Sequence, residues 1–246
     1  MLNVLHEATD SVVAVLAEQE DWGLSGLRDG QYQPDLSADS AAVSVLSGSG
    51  LRVLSEESGL SAGSGPVAVL DPLDGSTNAS LPLPWFATSI CVVDDAGPWV
   101  SVVHDHASGV RFSAIRGGGA AVDDQPLPAL EPVALSDAVV VVNALPPAHG
   151  GWAQFRCMGA TALDLCAVAD GRFDAYIDYD NDALGPWDYM GALLVCAEAG
   201  VDVVDAFGRD LVVLDHSARR SPIAARGDLL APLVQSRRVG AGPGGH

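Results

Sequence analysis

The sequence predicts an α+β fold arranged as a layered sandwich. Three observations support this: helical periodicity at the start of the chain, β-hairpin patterning in its middle, and mixed helices and strands in its second half. At 246 residues, the chain is long enough for one large domain or two small ones. Hydrophobic residues make up 48% of it, which is enough for a sizeable core.

The first part of the chain combines helices with strands. Apolar residues recur at helical spacing over residues 3–20, and residues 39–46 have a second helical pattern. The polar, glycine-bearing segment 23–34 between them predicts a loop. Two short apolar runs, 51–55 and 67–70, predict strands.

The middle of the chain has the pattern of a β-meander. Three β-rich runs, 86–93, 99–104 and 110–115, are separated by short turns that contain glycine. A proline-rich linker follows at 123–132. We therefore place a boundary between two sub-lobes near residues 123–136.

The second half returns to mixed elements. The pattern predicts strands at 139–142, 173–177, 201–204 and 221–224, and helices at 160–170, 187–199 and 228–234. Residues 1–235 are expected to form a single domain. The Gly-rich segment 236–246 is expected to be a disordered tail.

The net charge limits the classes of partner. The formal charge is −20, from 32 acidic and 12 basic residues. Such a surface repels nucleic-acid backbones and anionic membranes, so neither is expected as a partner. A small phosphorylated metabolite remains compatible, because a bound metal ion inverts the local field.

Cysteine spacing and the N-terminus indicate a cytoplasmic protein. The four cysteines are widely spaced and form no C-x-x-C pair, so we expect buried, reduced thiols. The N-terminus lacks the basic start and apolar run of a signal peptide. No stretch approaches the ~18 apolar residues of a membrane span.

The segment 67–78 is the most informative stretch of the chain. A buried strand is followed by two carboxylates, Asp71 and Asp74, and then by a Gly-Ser-Thr-Asn run that starts at Gly75. Carboxylates beside free backbone N–H groups and hydroxyls suit a divalent cation bound together with a phosphate. The alternative interpretation is a solvated Asx-turn in which Ser76 is only a helix N-cap.

Further acids are expected to converge on this turn. Glu56 and Glu57 end the preceding strand, and Asp188 follows Pro186-Trp187 at the start of a helix. Taken alone, Glu56 and Glu57 are also consistent with an exposed strand end, and Asp188 is consistent with an acid that the helix dipole favours. Converging carboxylates need cations, and oxygen-only ligands favour Mg²⁺ or Mn²⁺ over zinc. The run 104–106 (His-Asp-His) is interpreted as a solvated hairpin turn rather than a zinc site.

These motifs resemble those of the inositol monophosphatase family, within the Mg²⁺-dependent, lithium-sensitive sugar phosphatases. The run 71–78 (Asp-Pro-Leu-Asp-Gly-Ser-Thr-Asn) is similar to the family's first signature, and 186–192 (Pro-Trp-Asp-Tyr-Met-Gly-Ala) is similar to its second. The Glu-Glu-Ser-Gly run at 56–59 resembles the acidic segment ahead of the first signature. The order and spacing fit over about residues 5–235.

The resemblance implies a layered α-β-α-β-α sandwich of the inositol monophosphatase and fructose-1,6-bisphosphatase type, usually a homodimer, with two or three Mg²⁺ ions or Mn²⁺ in their place. The implied metal ligands are Glu57, Asp71, the Leu73 carbonyl, Asp74 and Asp188. The implied phosphate-binding residues are Gly75 and Ser76. The residues implied on the substrate side are Gly159, Ala160, Thr161 and Asp178.

The implied catalytic group consists of Glu57, Ser76, Asp39 and Asp74. In it, Ser76 orients the attacking water together with Glu57, and Asp39 supports Ser76 and a further, weaker metal. The chain departs from the family upstream: Gln33-Pro34-Asp35 lacks the usual lysine, and the spacing from Asp35 to Asp39 is short.

The resemblance implies hydrolysis of a small phosphorylated polyol, such as inositol monophosphate, by direct attack of a metal-activated water. The same chemistry on 3′-phosphoadenosine 5′-phosphate, histidinol phosphate or fructose 1,6-bisphosphate is the first alternative. A degenerate relative that binds metal or ligand without turnover is the second, and the altered 33–39 segment is its only support.

Overall fold

Helices and two β-sheets alternate in layers in the computed structural model, which describes residues 1–240. The α-helices of this part of the chain are α1 (Leu2–Ala17), α2 (Gln33–Gly48), α3 (Ser76–Ser80), α4 (Thr161–Ala169), α5 (Pro186–Glu198) and α6 (Leu230–Gly240).

The first sheet is a mostly antiparallel meander. Its strands are β1 (Arg52–Ser55), β2 (Gly59–Leu60), β3 (Val67–Asp74), β4 (Ala87–Asp94), β5 (Gly97–Asp105), β6 (Arg111–Ile115), β7 (Gly119–Val122) and β8 (Gln125–Pro126). The spatial order is β2-β1-β3-β4-β5-β6-β7-β8. Only β1 and β3 pair in parallel, in a register that places Ser55 opposite Leu70. The acidic residues that follow β1 therefore come near those at the end of β3.

The second sheet is mixed. Its strands are β9 (Val139–Asn143), β10 (Gln154–Arg156), β11 (Ala175–Asp178), β12 (Asp202–Asp205) and β13 (Pro222–Ala225). They lie in the order β10-β9-β11-β13-β12. Strand β9 pairs in parallel with β10 and β11, whereas β13 pairs antiparallel with β11 and β12.

Strand alternation builds the layers. In β3, Val69 belongs to the core between the two sheets, whereas its neighbour Leu70 faces α1 and α2. In β9, Val141 faces the central core, and Val140 packs in the outer core that contains Leu233 of α6. Successive residues of a strand point to opposite faces, so each sheet is covered on both sides. The predicted layered α-β-α-β-α fold is confirmed.

Element boundaries differ from the prediction where local capping outweighs periodicity. Helix α2 begins at Gln33 rather than at Asp39, because Pro34 suits a first turn and Asp35 accepts a hydrogen bond from the Tyr32 amide (2.7 Å). Strand β3 continues past Leu70 to Asp74. Four short strands, β2, β7, β8 and β10, were not predicted.

Helix α6 continues to Gly240, beyond the predicted end at residue 234 and into the segment expected to be a tail. The rest of that segment, 241–246, lies outside the described residues. The predicted boundary near residues 123–136 overlaps the connection between β8 and β9, which joins the two sheets.

The histidine turn and three of the four cysteines are withdrawn from solvent. His104 is buried and His106 is half-buried, so the expected solvated turn is wrong: the two rings pack edge to face with centroids 4.8 Å apart, and burial lowers the pKa of His106 to about 3. Cys91, Cys166 and Cys196 are buried free thiols, whereas Cys157 is an exposed one. Within residues 1–240, none of the helices has the length and apolar character needed to cross a bilayer.

Candidate metal centre and active site

The site begins at an irregularity in the first sheet. Asp71 pairs with Ser89 and Asp74 pairs with Ala87, so the register shifts between them and neither Pro72 nor Leu73 has a register partner on β4. The Pro72 carbonyl instead accepts a hydrogen bond from the Thr88 hydroxyl (2.8 Å). Such a shift bends the strand and redirects its side chains. Leu73 is buried between the two acids, which both turn toward one point.

Three aspartates meet at this point. Asp71 and Asp74 come from β3, and Asp188 comes from the first turn of α5. One carboxylate oxygen from each lies within 4.8 Å of the others, and within residues 1–240 this is the one group of three or more potential metal-ligating side chains. The sequence therefore predicted the three members of this triad, which are far apart along the chain.

Backbone amides hold each carboxylate in place. Asp74 accepts hydrogen bonds from the Thr161 and Ala162 amides (3.2 and 2.7 Å), which belong to the first turn of α4. Asp188 accepts one from Gly185 (2.6 Å) and Asp71 accepts one from Leu73 (3.0 Å). The free amides of a helix start suit a negative charge, so α4 both orients and stabilises Asp74.

The electrostatics of the triad favour a cation. Burial raises the pKa of Asp71, Asp74 and Asp188 well above the usual range, and repulsion from neighbouring carboxylates, which for Asp188 are those of Glu56 and Asp178, raises each further. A buried cluster of like charges needs a counter-charge, and carboxylate oxygens are the preferred ligands of hard divalent cations. The donor set of the triad therefore fits a metal ion.

The two predicted glutamates point in different directions. Glu56 adds to the repulsion that raises the pKa of Asp71 and Asp188, and its own pKa is raised to about 7, first by burial and then by neighbouring acids. Glu57 instead pairs with Arg28, whose Nη2 lies 2.9 Å from both of its carboxylate oxygens, and it also accepts a hydrogen bond from Gln31. The structure thus directs the charge of Glu56, not of Glu57, toward the triad.

The turn after Asp74 leads directly into a short helix. Gly75 adopts a positive φ of 81° and immediately precedes α3, which begins at Ser76. The first N–H groups of a helix have no partner within it, so the amides of this turn are free to donate. A Cβ atom on Gly75 would lie 3.0 Å from the Ala160 Cβ, so this turn packs directly against the start of α4.

Asp35, which was not predicted as a site residue, occupies the position beside Ser76. Burial raises its pKa to about 7, and the Ser76 hydroxyl partly offsets that effect. The Asp35 Oδ1 atom is buried and accepts no hydrogen bond of ordinary geometry within residues 1–240, so it is available to Ser76.

The structure places Asp39 one helical turn away from this position. It accepts hydrogen bonds from the hydroxyls of Ser55 and Ser58, which flank the two glutamates. The short spacing from Asp35 to Asp39 is one turn of α2, so both acids lie on the same face but contact different segments.

The residues expected on the substrate side divide into two groups. Gly159, Ala160 and Thr161 lie at the start of α4 against the Gly75 turn, and Asn78 joins α3 to this segment through a hydrogen bond to the Met158 carbonyl (2.8 Å). Asp178 is fully buried, and its Oδ1 accepts hydrogen bonds from Asn143 and the Asp180 amide. Its Oδ2 atom has no partner within residues 1–240, and burial raises its pKa to about 7.

A polar cleft of about 370 Å³ opens beside the triad. Four acids and two arginines are among the residues that line it. Its lining residues are Arg28, Asp29, Gly30, Gln31, Asp35, Glu56, Glu57, Ser76, Trp187, His216 and Arg219. The arginines and His216 were not predicted from the sequence, because they belong to no local motif and reach the cleft only through tertiary contacts.

Comparisons with known proteins agree with this geometry. The family model described as the inositol monophosphatase family matches residues 46–238. The chain is 31% identical over 225 residues to a Vibrio cholerae protein named Nus factor SuhB, covering 84% of this chain and 83% of that one. It is 36% identical over 154 residues to an inositol-1-monophosphatase of Rhizobium meliloti, covering 57% of each.

A solved structure shares the fold over nearly the whole chain. The extragenic suppressor protein suhB from Bartonella henselae superposes with a TM-score of 0.82 at 27% sequence identity. The match covers 96% of this chain and 98% of that one.

Proposed function

Because this chain belongs to the inositol monophosphatase family, we propose that it hydrolyses the phosphate monoester of a small polyol such as inositol monophosphate. One observation carries the proposal: the buried triad of Asp71, Asp74 and Asp188 lies directly beside the free amides of the Gly75 turn. Carboxylates for a cation and N–H donors for an anion are thus adjacent, as phosphoryl transfer requires.

The triad, together with the Leu73 carbonyl and Glu57, would hold two or three Mg²⁺ ions, with Mn²⁺ as a substitute. A bound ion would lower the pKa of a water molecule and neutralise charge on the phosphate and the leaving oxygen. Glu57 joins this set by releasing Arg28, which pairs with it in the structure. The Leu73 carbonyl is available because Leu73 has no cross-strand partner.

The protein's own groups would position the reactants. The Gly75 and Ser76 amides donate to the equatorial phosphate oxygens, where charge is concentrated in the transition state. The Ser76 hydroxyl and Glu57 orient the attacking water. The Asp35 carboxylate accepts a hydrogen bond from the Ser76 hydroxyl and so fixes the direction of that hydroxyl, which is the role that the resemblance assigned to Asp39.

An Asp35→Asn substitution tests this positioning role against Asp39→Asn. We expect Asp35→Asn to lower kcat about tenfold to a hundredfold with little change in KM, because Asn cannot accept the Ser76 proton as strongly as a carboxylate. Asp39→Asn retains an oxygen for Ser55 and Ser58, so its kcat should stay within about threefold of wild type. Steady-state kinetics decide, and a larger kcat loss in Asp39→Asn would return the role to Asp39.

The substrate is proposed at the level of a small phosphorylated metabolite. The same site chemistry would serve 3′-phosphoadenosine 5′-phosphate, histidinol phosphate or fructose 1,6-bisphosphate. Matched relatives carry the name Nus factor SuhB as well as inositol-1-monophosphatase, so a non-catalytic binding role is the second candidate. We further propose a cytoplasmic homodimer that is inhibited by lithium.

Phosphate release is the direct test of the function. We would assay inositol 1-phosphate, 3′-phosphoadenosine 5′-phosphate, histidinol phosphate, fructose 1,6-bisphosphate and glycerol 3-phosphate with Mg²⁺, with EDTA and with Li⁺. Release that requires Mg²⁺ and falls with Li⁺ is the expected result. If protein with a cooperative thermal transition releases phosphate from none of them, the proposed substrates are excluded, and the function is hydrolysis of an unusual substrate or the non-catalytic binding role.

A further inference from the structure

One wall of the cleft carries a guanidinium group with unused hydrogen-bonding capacity. Arg219 is half-buried, and its Nη1 donates to the carbonyls of His216 (2.9 Å) and Ala218 (2.8 Å). Its Nε and Nη2 donate to no group within residues 1–240. A guanidinium has five N–H donors in a fixed fork, so one edge of Arg219 is left for another acceptor.

Arg219 also has no acidic partner among the described residues, although the chain has 32 acidic residues and 12 basic ones. The other arginine of the cleft, Arg28, is paired with Glu57. Arginine is the side chain suited to planar, two-point binding of carboxylate or phosphate. Other arginines of the chain also have no acidic partner among the described residues, but Arg219 is the one of them that lines the cleft beside Ser76. Its free edge is therefore placed to bind an anion supplied from outside.

The position of Arg219 is fixed rather than mobile. Its guanidinium carbon lies 5.1 Å from the centre of the Trp187 ring, and Trp187 in turn packs on His216 with ring centroids 4.8 Å apart. His216 donates from Nε2 to the Glu56 carbonyl (3.0 Å), which anchors the loop to the first sheet. A preorganised cation loses little entropy when it binds an anion.

Arg219 lies close to the reaction centre. Trp187 immediately precedes Asp188, and the charge of Arg219 lowers the pKa of Asp188 against the effect of burial. Arg219 and Ser76 line the same cleft. A substrate whose phosphate lies on the Gly75–Ser76 turn would therefore extend its remaining part toward Arg219.

We propose that Arg219 binds a second anionic group of the substrate, a carboxylate or a phosphate other than the one that is cleaved. The substrate class is then a phosphate monoester with an additional negative charge, and Arg219 is a residue that determines specificity. This inference rests on the proposed function for its place in catalysis. The local positive charge also counters the repulsion that a net charge of −20 exerts on such a substrate.

The test compares Arg219→Gln with Arg220→Gln on matched substrates. Arg220 is the control because it does not line the cleft, and its side chain donates to the carbonyls of Asp210 and Arg219. The first pair is glycerol 3-phosphate and 3-phosphoglycerate, which differ by a carboxylate. The second pair is inositol 1-phosphate and inositol 1,4-bisphosphate, which differ by a phosphate.

We expect wild type to prefer the more anionic member of at least one pair, and the pair that shows the preference identifies the group. The ratio of kcat/KM for the more anionic substrate to kcat/KM for the less anionic one should fall about tenfold in Arg219→Gln. The fall should come from a higher KM for the more anionic substrate, because a charge-assisted hydrogen bond to it is lost. Arg220→Gln should leave the ratio as in wild type. An equal ratio in wild type and Arg219→Gln overturns the proposal.

A binding experiment separates this proposal from the proposed hydrolysis. The C–P bond of a phosphonate is not cleaved, so calorimetry with Mg²⁺ and 3-phosphonopropionate or propylphosphonate measures recognition without turnover. Tighter binding of the carboxylated compound, lost in Arg219→Gln and kept in Arg220→Gln, supports the subsite even if no ester is hydrolysed. Equal affinity of wild type for the two compounds excludes a carboxylate subsite. If, in addition, the ratio of kcat/KM for inositol 1,4-bisphosphate to kcat/KM for inositol 1-phosphate is the same in Arg219→Gln as in wild type, a phosphate subsite is excluded as well.

Discussion

Replacement of Asp188 by asparagine is expected to abolish phosphate release, with kcat reduced at least about a thousandfold. Asp188 supplies one of the three oxygens that meet within 4.8 Å, and it alone joins α5 to the two acids of β3. The amide removes a negative charge but keeps an oxygen that can accept the Gly185 amide hydrogen bond, so the helix start should remain intact. The kcat with the best substrate of the phosphate-release panel measures the effect.

The same variant should be more stable than wild type when no metal is bound. Burial and repulsion raise the carboxyl pKa values of the triad in the folded state, so the folded state favours their protonated forms. Their contribution to the free energy of unfolding is therefore fully present below about pH 4 and is lost as pH rises. Removing one carboxylate relieves this loss, so Asp188→Asn in EDTA should melt above wild type at pH 8.

Thermal unfolding in EDTA and in Mg²⁺ between pH 5 and pH 8 completes this test. Mg²⁺ should raise the Tm of wild type more as pH increases, because the ion competes with protons for the same carboxylates. The gain should be much smaller in Asp188→Asn. Asp202→Asn is the matched control: Asp202 is an exposed acid of β12, so both kcat and Tm should match wild type. Near-normal kcat in Asp188→Asn would contradict the metal scheme.

Replacement of Gly75 by alanine is expected to destabilise the protein by about 3 kcal/mol and to lower activity at least about tenfold. Gly75 has a φ of 81°, which costs an L-residue free energy. The added Cβ would also lie 3.0 Å from the Ala160 Cβ and the Trp85 carbonyl oxygen, and 3.2 Å from the Gly159 carbonyl oxygen. These neighbours are backbone or short side chains, so the turn itself must move, and its amides move with it.

A Gly50→Ala control separates the cost of placing alanine at a positive φ from the cost of the close contacts that a Cβ atom makes at Gly75. Gly50 has nearly the same φ, 83°, and no atom lies within 4 Å of the Cβ that alanine would add. Its substitution should cost only about 1 kcal/mol and leave kcat unchanged. Chemical denaturation of both variants gives the two free-energy differences. Equal losses of stability, with normal activity in Gly75→Ala, would show that the turn tolerates a side chain and does not position the phosphate.

Sequence reasoning succeeded where one segment contains the necessary information. The alternation that places Val69 and Leu70 on opposite faces of β3 is visible in the residues themselves. Asp71 and Asp74 were predicted as site residues because a strand, two acids and a glycine turn stand together. Asp188 was predicted from a second local motif, and the similarity of both motifs to one family indicated the layered fold.

In two pairs of nearby acids, the partner that each acid meets depends on how the elements pack. Asp35 and Asp39 lie one turn apart on the same face of α2, and only the packing of that helix places Asp35 beside Ser76 and Asp39 beside Ser55. Arg28 distinguishes Glu57 from Glu56 by distance, because its Nη2 lies 2.9 Å from a carboxylate oxygen of Glu57 and 3.8 Å from one of Glu56. Each acid lies within four residues of its alternative and in the same element or turn, so local propensity does not say which partner it meets.

The residues that line the cleft come from distant segments and meet only in the folded chain. Arg28 precedes α2 and Arg219 precedes β13, so they meet around one cavity only after both sheets have formed. Most of the elements, the three converging aspartates and the glycine turn at Gly75 could be predicted from the residues, because each depends on periodicity or on a motif of adjacent residues. Contacts between distant segments determined the charges that surround them, because those contacts depend on how whole layers pack.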